Sequence, residues 1–402
     1  MFVGITNTPR PYAWGSTTAI AELLGREPSG EPEAELWLGA HPGSPSVILD
    51  PSLTGGATDL AAWIAADPQT TLGPFAESGR LPFLLKILAA AAPLSLQAHP
   101  TPSQAVAGFE RENRLGVPLD APYRNFKDAF AKPELIYALS PTFDALCGFR
   151  PHDEVRALVL TLLDAARALE DPQPQPLEDL LDSLSTGRRE TFEWLISSGP
   201  GVPTLVSLVT ELAASSSLPS LAVVRALAAE YPGDPGIVTS LLINNVTLAA
   251  GEALYLPAGN IHAYLSGLGV ELMASSDNVM RGGLTPKHID VPELLGVLDF
   301  TPVPVPYLAA ETPAPGVSVF RPDVPDFVLY RVSADATVTI TGPAIAICTA
   351  GSPTIEGARS STALPRGAAV YVTPDEGALH FSFTSFTSFT GDGTVFLATT
   401  GS

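Results

Sequence analysis

Between Pro151 and Tyr231 the apolar residues of this chain recur at spacings of three and four, in "PHDEVRALVLTLLDAARALED", "LEDLLDSLS", "TFEWLISS", "LVSLVTELAA" and "SLAVVRALAAEYP". That period is one face of a helix, and Asp-, Pro- and Ser-rich breaks separate the runs, so the stretch predicts an all-α segment of about five helices. On both sides the text changes. Upstream come short β-like runs and turns, "AELWLGAHPGSPSVIL", "LPFLLKIL" and "PLSLQAHP", with one helix near "DLAAWIAAD". Downstream, "SLLINNVTLAAGEALYLPAGNIHAYLSGLGVELM" alternates Leu-, Val-, Ile- and Tyr-rich runs with Gly and Pro turns. The pattern predicts one β domain, residues 1–150 and 235–302, split by a helical insert, 151–234. A Pro-rich linker, "TPVPVPYLAAETPAPG", then leads into a β-rich domain, 303–402. The expected fold class is mainly β with an α insert, its strands arranged as jelly rolls that double or close their sheets to limit exposed edges.

The composition fits a globular chain. Its 402 residues suffice for two or three domains, and 46% hydrophobic against 16% charged residues bury a sizeable core. No apolar run reaches the roughly 18 residues that span a bilayer, and the N-terminus lacks a basic segment followed by an apolar one, so a cytoplasmic protein is expected; a monomer is expected as well, though nothing in the sequence derives it. Cys147 and Cys348 stand far apart in apolar surroundings, which suits reduced core thiols. A formal charge of −21 argues against nucleic acid and anionic membrane surfaces as partners, since both need a positive footprint. A small anion would need local Lys and Arg to make a positive pocket against that field.

Three short motifs carry chemistry. In "LSLQAHP" (Leu94 to Pro100) the polar residues Ser95, Gln97 and His99 alternate with apolar ones, so a strand would project Gln97 and His99 from one face within reach of one ion. In "AKPELIYAL" Lys132 and Glu134 flank Pro133, placing a carboxylate where a strand begins. In "GEALYLPAGNIHAYLSG" the spacing of Gly251, Pro257, Gly259 and His262 is that of a strand, a tight turn and a histidine opening the next strand. That spacing resembles the second metal-binding motif of cupin jelly rolls. Two imidazoles, one carboxylate and one amide oxygen make a four-ligand set for Zn²⁺ with room left for substrate oxygens.

With "RPYAWGS", "AELWLGAHPGSPS", "LPFLLKIL" and "GVELMASSDNVMRGGLTPKHID", these motifs closely resemble the type I mannose-6-phosphate isomerase family from about Pro11 to Asp290. The resemblance implies a cupin catalytic core, an inserted helical domain and a C-terminal jelly roll. It also implies one zinc ion held by Gln97, His99, Glu134 and His262, and a reaction that interconverts mannose 6-phosphate and fructose 6-phosphate. Arg281 and Lys287, with Gly282 and Gly283 between them, are the cations expected beside the anionic substrate. Arg281 is the residue on which activity is expected to depend, and a salt bridge to Asp277 is its structural alternative.

Glu271, in "GVELM", is the expected general base, because a carboxylate screened from water has its pKa raised. Lys132 and Asp277 compete for that role. Lys86, a lone cation in an apolar strand, Ser95 and Tyr264 are expected to contact the sugar. His41 reads as a turn residue. Many family members carry histidine directly before K-P-E, where this chain has Ala131. A proton-transfer role for that histidine therefore cannot operate here unless His288 or another group replaces it.

In the tail, Gly367, Pro374, Gly377 and His380 echo the third motif without partner motifs, which predicts a metal-free second jelly roll. There too "FSFTSFTSFT", Phe381 to Thr390, predicts a bulged strand feeding the core. Two rival functions remain at this level, a redox-active Fe(II) or Mn(II) cupin oxygenase and a non-catalytic sugar-phosphate binder.

Overall fold

The structure, a computed structural model, describes residues 1–383 and 393–401. Its first strands are β1 (Phe2–Thr6), β2 (Glu35–Leu38), β3 (Val47–Ile48), β4 (Phe83–Ala90), β5 (Gln97–Ala98), β6 (Glu134–Ala138) and β7 (Thr142–Phe149). After the helical stretch come β8 (Ile243–Ala249), β9 (Ala253–Leu256), β10 (His262–Ala274) and β11 (Met280–Arg281). Nine of these, β2 and β4 to β11, form one sheet. Its spine is β10. The first half of β10 pairs with β5 and β7, the second half with β4 and β6, so two groups of strands share it.

This sharing solves a problem of parity. His262 and Glu271 are nine residues apart, a separation that puts side chains on opposite faces of an unbroken strand. Between Tyr264 and Ser266 the pairing with β7 shifts register. Such a bulge inserts one extra residue and exchanges the faces beyond it, so both side chains turn to the same interior.

The helical stretch follows its apolar spacing. In the helix His152–Arg167 the buried residues are Val155, Val159, Leu162, Leu163 and Ala166. Further helices run over Gln175–Thr186, Arg188–Ile196, Val202–Ser215 and Ala222–Glu230. A short helix, Gly236–Thr239, and a 3₁₀ turn, Ser240–Leu242, follow, and strand structure resumes at Ile243. The core of these helices is continuous with Leu96, Ala98, Phe149, Ile261 and Met280 of the sheet. The insert is therefore packed onto the sheet that carries the three motifs.

The C-terminal strands form two further sheets. One runs Glu311–Ala314, Val317–Phe320, Val328–Val332, Thr394–Thr399, Ala344–Ala350 and Ala369–Val372, and is extended by β1 and β3 from the other end of the chain. Phe2 to Ile5 lie opposite Val372 to Ala369, so β1, expected within the first β domain, hydrogen-bonds to the C-terminal one. A shared core of Val3, Leu36, Phe83 and Leu272 with Phe327, Tyr371 and Phe396 joins the two β regions. The smaller sheet pairs Ala336–Thr339, Ala378–Ser382, Thr354–Glu356 and Ser361–Ala363. It holds His380, whose Nδ1 lies 2.7 Å from Thr337 Oγ1, apart from the other motif histidines. Phe381 is buried in the core there, but residues 384–390 of the phenylalanine run lie outside the described residues.

Among the described residues no helix is long and apolar enough to cross a membrane. Cys147 and Cys348 are free and buried.

Candidate metal centre and substrate cavity

Local sequence brings the three motifs together. The strand expected over "LSLQAHP" is only Gln97–Ala98, because Thr101 caps a helix that starts at once, with Pro102 in its first turn and a reciprocal capping box to Gln104. That helix, Pro102–Arg114, supplies Glu112, whose carboxylate accepts from the amides of Asn125 and Phe126 and so fixes the approach to Lys132. Gly259, at φ 79°, makes the tight turn before His262, and its amide donates to the His99 carbonyl at 2.9 Å. The second and first histidine motifs are thereby tied directly.

Buried at the centre are His99, Glu134 and His262, whose ligand atoms all lie within 4.8 Å of one another. His99 Nε2 stands 3.3 Å from Glu134 Oε1, and His262 Nε2 stands 3.2 Å from Glu134 Oε2. The other ring nitrogens are committed: Nδ1 of His99 donates to the Asn278 carbonyl at 2.8 Å and Nδ1 of His262 to the Asn260 carbonyl at 3.1 Å. Both imidazoles therefore present Nε2 to the carboxylate, the nitrogen left free for a metal. Nε2 of each histidine and Oε2 of Glu134 are buried without a hydrogen-bond partner. Three orphaned donors to a cation in one dry site fit a divalent ion. Gln97 sits directly across from His262 in the sheet register, so its amide shares that face.

The electrostatics agree. Burial pushes the His99 pKa down to about 4, outweighing Glu134, so the ring is neutral at pH 7. Burial would raise the Glu134 carboxyl, but Lys132, at 2.9 Å, and His99 hold it well below the usual range.

Above this cluster, Trp37, Lys86, Glu271 and Ile136 form one cross-strand row over β2, β4, β10 and β6. Lys86 Nζ lies 2.9 Å from Glu271 Oε2 and 3.5 Å from Glu35 Oε1, and Trp37 Nε1 donates to Glu35 at 2.8 Å. Burial works against the Lys86 charge, yet Glu271 and Glu35 raise its pKa overall. Glu271 goes the other way: burial raises its pKa against the pull of Lys86, with Glu134 adding to the rise.

A cavity of about 240 Å³ opens over the row, lined by Glu35, Trp37, Lys86, Lys132, Arg281 and Lys287, with Tyr12, Trp14, His41 and Asp277 at its walls. Burial lowers the pKa of Arg281 and of Lys287, the latter with help from Arg281.

Several expectations need correction. Asp277 does not pair with Arg281; its Oδ2 lies 3.2 Å from His41 Nε2, and among the described residues Arg281 makes no ion pair. His41 keeps its turn role, accepting from the Gly43 amide at Nδ1, but its other nitrogen faces the cavity wall. Tyr264 is 1% exposed, packs against Phe143 and is not among the residues that line the cavity. Ser95 is half-buried and is not among the lining residues, because the backbone at that point is not yet a strand. Glu271 stands behind Lys86 instead of at the cavity surface. His288 is exposed and outside the cavity lining, so it does not stand in for the histidine that Ala131 replaces.

Sequence reasoning missed Glu35 and Asn278. Asn278 is fully buried, and its side chain binds the backbone of Lys127, Asp128 and Phe130 while its carbonyl receives His99. Its only sequence signal was a polar residue inside the recognised "SSDNVMRGG" run.

A histidine and carboxylate cluster joined through Lys132 to a cation-lined cavity, on a mainly β scaffold with helices, defines a cupin-type metal protein. The model for the type I phosphomannose isomerase catalytic domain matches residues 2–152. Mannose-6-phosphate isomerase of Escherichia coli (strain K12) is 37% identical over 383 residues, 92% of this chain and 95% of that one. The Homo sapiens enzyme of the same name is 34% identical over 358 residues, covering 82% and 81%. A crystal structure of mannose 6-phosphate isomerase bound with zinc and yttrium matches with a TM-score of 0.87 at 32% identity, each chain fully covered. The chain belongs to the type I mannose-6-phosphate isomerase family.

Proposed function

We propose that this chain is a zinc-dependent aldose–ketose isomerase interconverting D-mannose 6-phosphate and D-fructose 6-phosphate. The observation that carries this reading is the convergence of three unpartnered buried ligand atoms, joined through Lys132 to a cavity that Arg281 and Lys287 also line. His99, Glu134, His262 and Gln97 would hold the ion, which supplies Lewis acidity towards substrate oxygens when bound.

The remaining work falls to the chain. Arg281, free of carboxylate partners among the described residues, and Lys287 bind the phosphate or the developing enediolate oxygen. Lys86 and Glu271 form the proton-transfer pair, with Lys86 facing the cavity and Glu271 behind it. The pair removes the C2 proton of the open-chain aldose, the electrons form the C1–C2 double bond, and the C1 carbonyl oxygen becomes the enediolate oxygen. The C2 hydroxyl gives up its proton and the C1 oxygen gains one, and return of the carbon-bound proton to C1 leaves the carbonyl at C2 and completes the ketose. Lys132 holds Glu134 and faces the same space, while Asp277 and His41 form part of its wall.

A monomeric, cytoplasmic enzyme is the state proposed for the chain, and the two free thiols suit the cytoplasm. The helical stretch 151–234 is read as an insert of the catalytic unit and 303–402 as a second jelly roll. A coupled assay for fructose 6-phosphate formation tests the function. Wild-type protein should turn over, and Arg281→Ala should keep its zinc yet lose about 10²- to 10³-fold in kcat. A variant with near-normal kcat removes Arg281 from the mechanism.

A further inference from the structure

We infer that Asp234, in the turn that ends the helical stretch, is a positioning residue for the loop carrying Arg281 and Lys287; this rests on the isomerase reading above. Asp234 Oδ1 accepts from the amide of Leu284 at 3.0 Å and from that of Gly236 at 2.7 Å, and Oδ2 accepts from the Thr285 amide at 3.4 Å. The carboxylate thus binds the backbone midway between the two cations.

What it binds is strained. Leu284 sits at φ 55°, and apart from Ser198 it is the one non-glycine at positive φ among the described residues. A leucine is disfavoured in that region by its Cβ, and such a residue persists only where its surroundings over-determine it. The surroundings here do so from three sides. Leu284 itself is buried, and a Cβ on Gly236 would stand 2.8 Å from its side chain, so the insert's turn packs flush on the loop. On the opposite side, Gly282 N donates to Leu96 O at 2.8 Å and Leu96 N donates to Gly283 O at 3.1 Å, which joins the loop to the segment bearing Gln97. From the same turn as Asp234, the Tyr231 hydroxyl donates to the Pro93 carbonyl at 2.7 Å, fixing the start of that segment.

The helical insert therefore acts on the reaction at a distance from the metal ligands. Its turn clamps the loop in a conformation the loop would not choose alone, and the two cations at the loop's ends are held over the cavity as a result. The acceptor geometry of the Asp234 side chain, more than its charge, is what the clamp needs, since all three partners are neutral amides.

The test uses full-length zinc-loaded protein and three variants. Asp234→Asn keeps Oδ1, the acceptor for Leu284 and Gly236, and gives up only the long contact to Thr285; Asp234→Glu keeps the charge but displaces it by one methylene, and Asp234→Ala removes charge and acceptors alike. KM for mannose 6-phosphate should rise about tenfold or more in Asp234→Ala and Asp234→Glu, with zinc content unchanged, while Asp234→Asn stays within about twofold of wild type. The inhibition constant for inorganic phosphate should follow the same order. If Asp234→Ala does not fold, the comparison of Asn with Glu decides. Wild-type KM in Asp234→Glu, or an Asn variant as impaired as the Glu variant, overturns the inference. A wild-type protein that turns over no mannose 6-phosphate instead overturns the isomerase reading.

Discussion

Glu271 shows how one side chain's surroundings set its chemistry. It is 3% exposed, and burial raises its pKa even with Lys86 at 2.9 Å. An ordinary glutamate titrates near 4.3, so the acid limb of kcat/KM is expected above that value. Activity should be present above the folded pKa of Glu271 and fall as pH drops through it, when the carboxyl becomes neutral and its pairing with Lys86 fails. In Glu271→Gln that limb should vanish along with most of kcat; a limb unchanged in shape and position assigns it to another group. Stability responds in the opposite sense. Because the folded carboxyl binds its proton more tightly than the unfolded one, its contribution is largest at low pH and is lost as pH rises through the folded value. The roles of Glu35 and of the His41–Asp277 pair were not readable in sequence, because each depends on a contact between distant segments, from Glu35 on β2 to Lys86 on β4 and from His41 to Asp277 beyond β10.

At the scale of elements, β10 does the most. Its 13 residues carry His262 and Glu271 and pair with four other strands, so any distortion reaches the ligands and the cavity row together. Gly269 leaves no room for a side chain against β6: a Cβ there would stand 2.9 Å from the Tyr137 carbonyl oxygen and 2.7 Å from Ile136. Gly269→Ala should therefore cost about 1–3 kcal/mol, read as a lowered Tm. An unchanged Tm means that β6 and β10 yield freely there. The motifs on these strands were legible because metal ligation constrains short stretches, with Q-x-H, K-P-E and P-x-G-x2-H each a local pattern. The bulge that aligns the two halves of β10 was not legible, since no residue between Tyr264 and Ser266 differs in type from ordinary strand text.

For the whole molecule, the helical insert was visible as a change of period, and its helices fall where the apolar residues repeat. How the parts join was not visible. The run "FVGIT" reads as one more short strand, and only its partner at Val372 to Ala369 reveals that the two β regions are laced together. A protein cut after Pro302 would leave β1 without that partner and would expose Val3, Leu36 and Phe83 where Phe327, Tyr371 and Phe396 now cover them. Such a truncation is expected to be insoluble or to bind no metal; a soluble, active 1–302 fragment shows that the shared core is dispensable. A formal charge of −21 sets the whole chain against anions, so the cationic cavity must act locally, and added salt should weaken substrate binding at Arg281 and Lys287.

The central claim is that His99, Glu134 and His262, scattered through the sequence, hold one divalent ion on which isomerisation depends. Isomerase activity measured before chelation, after chelation and after zinc is restored tests it, with metal content followed alongside. The account predicts about one zinc per chain, loss of activity with the metal and recovery on its return, and neither metal nor recovery in His99→Ala or Glu134→Ala. Full activity in demonstrably metal-free protein, or one zinc per chain retained in both variants, contradicts it.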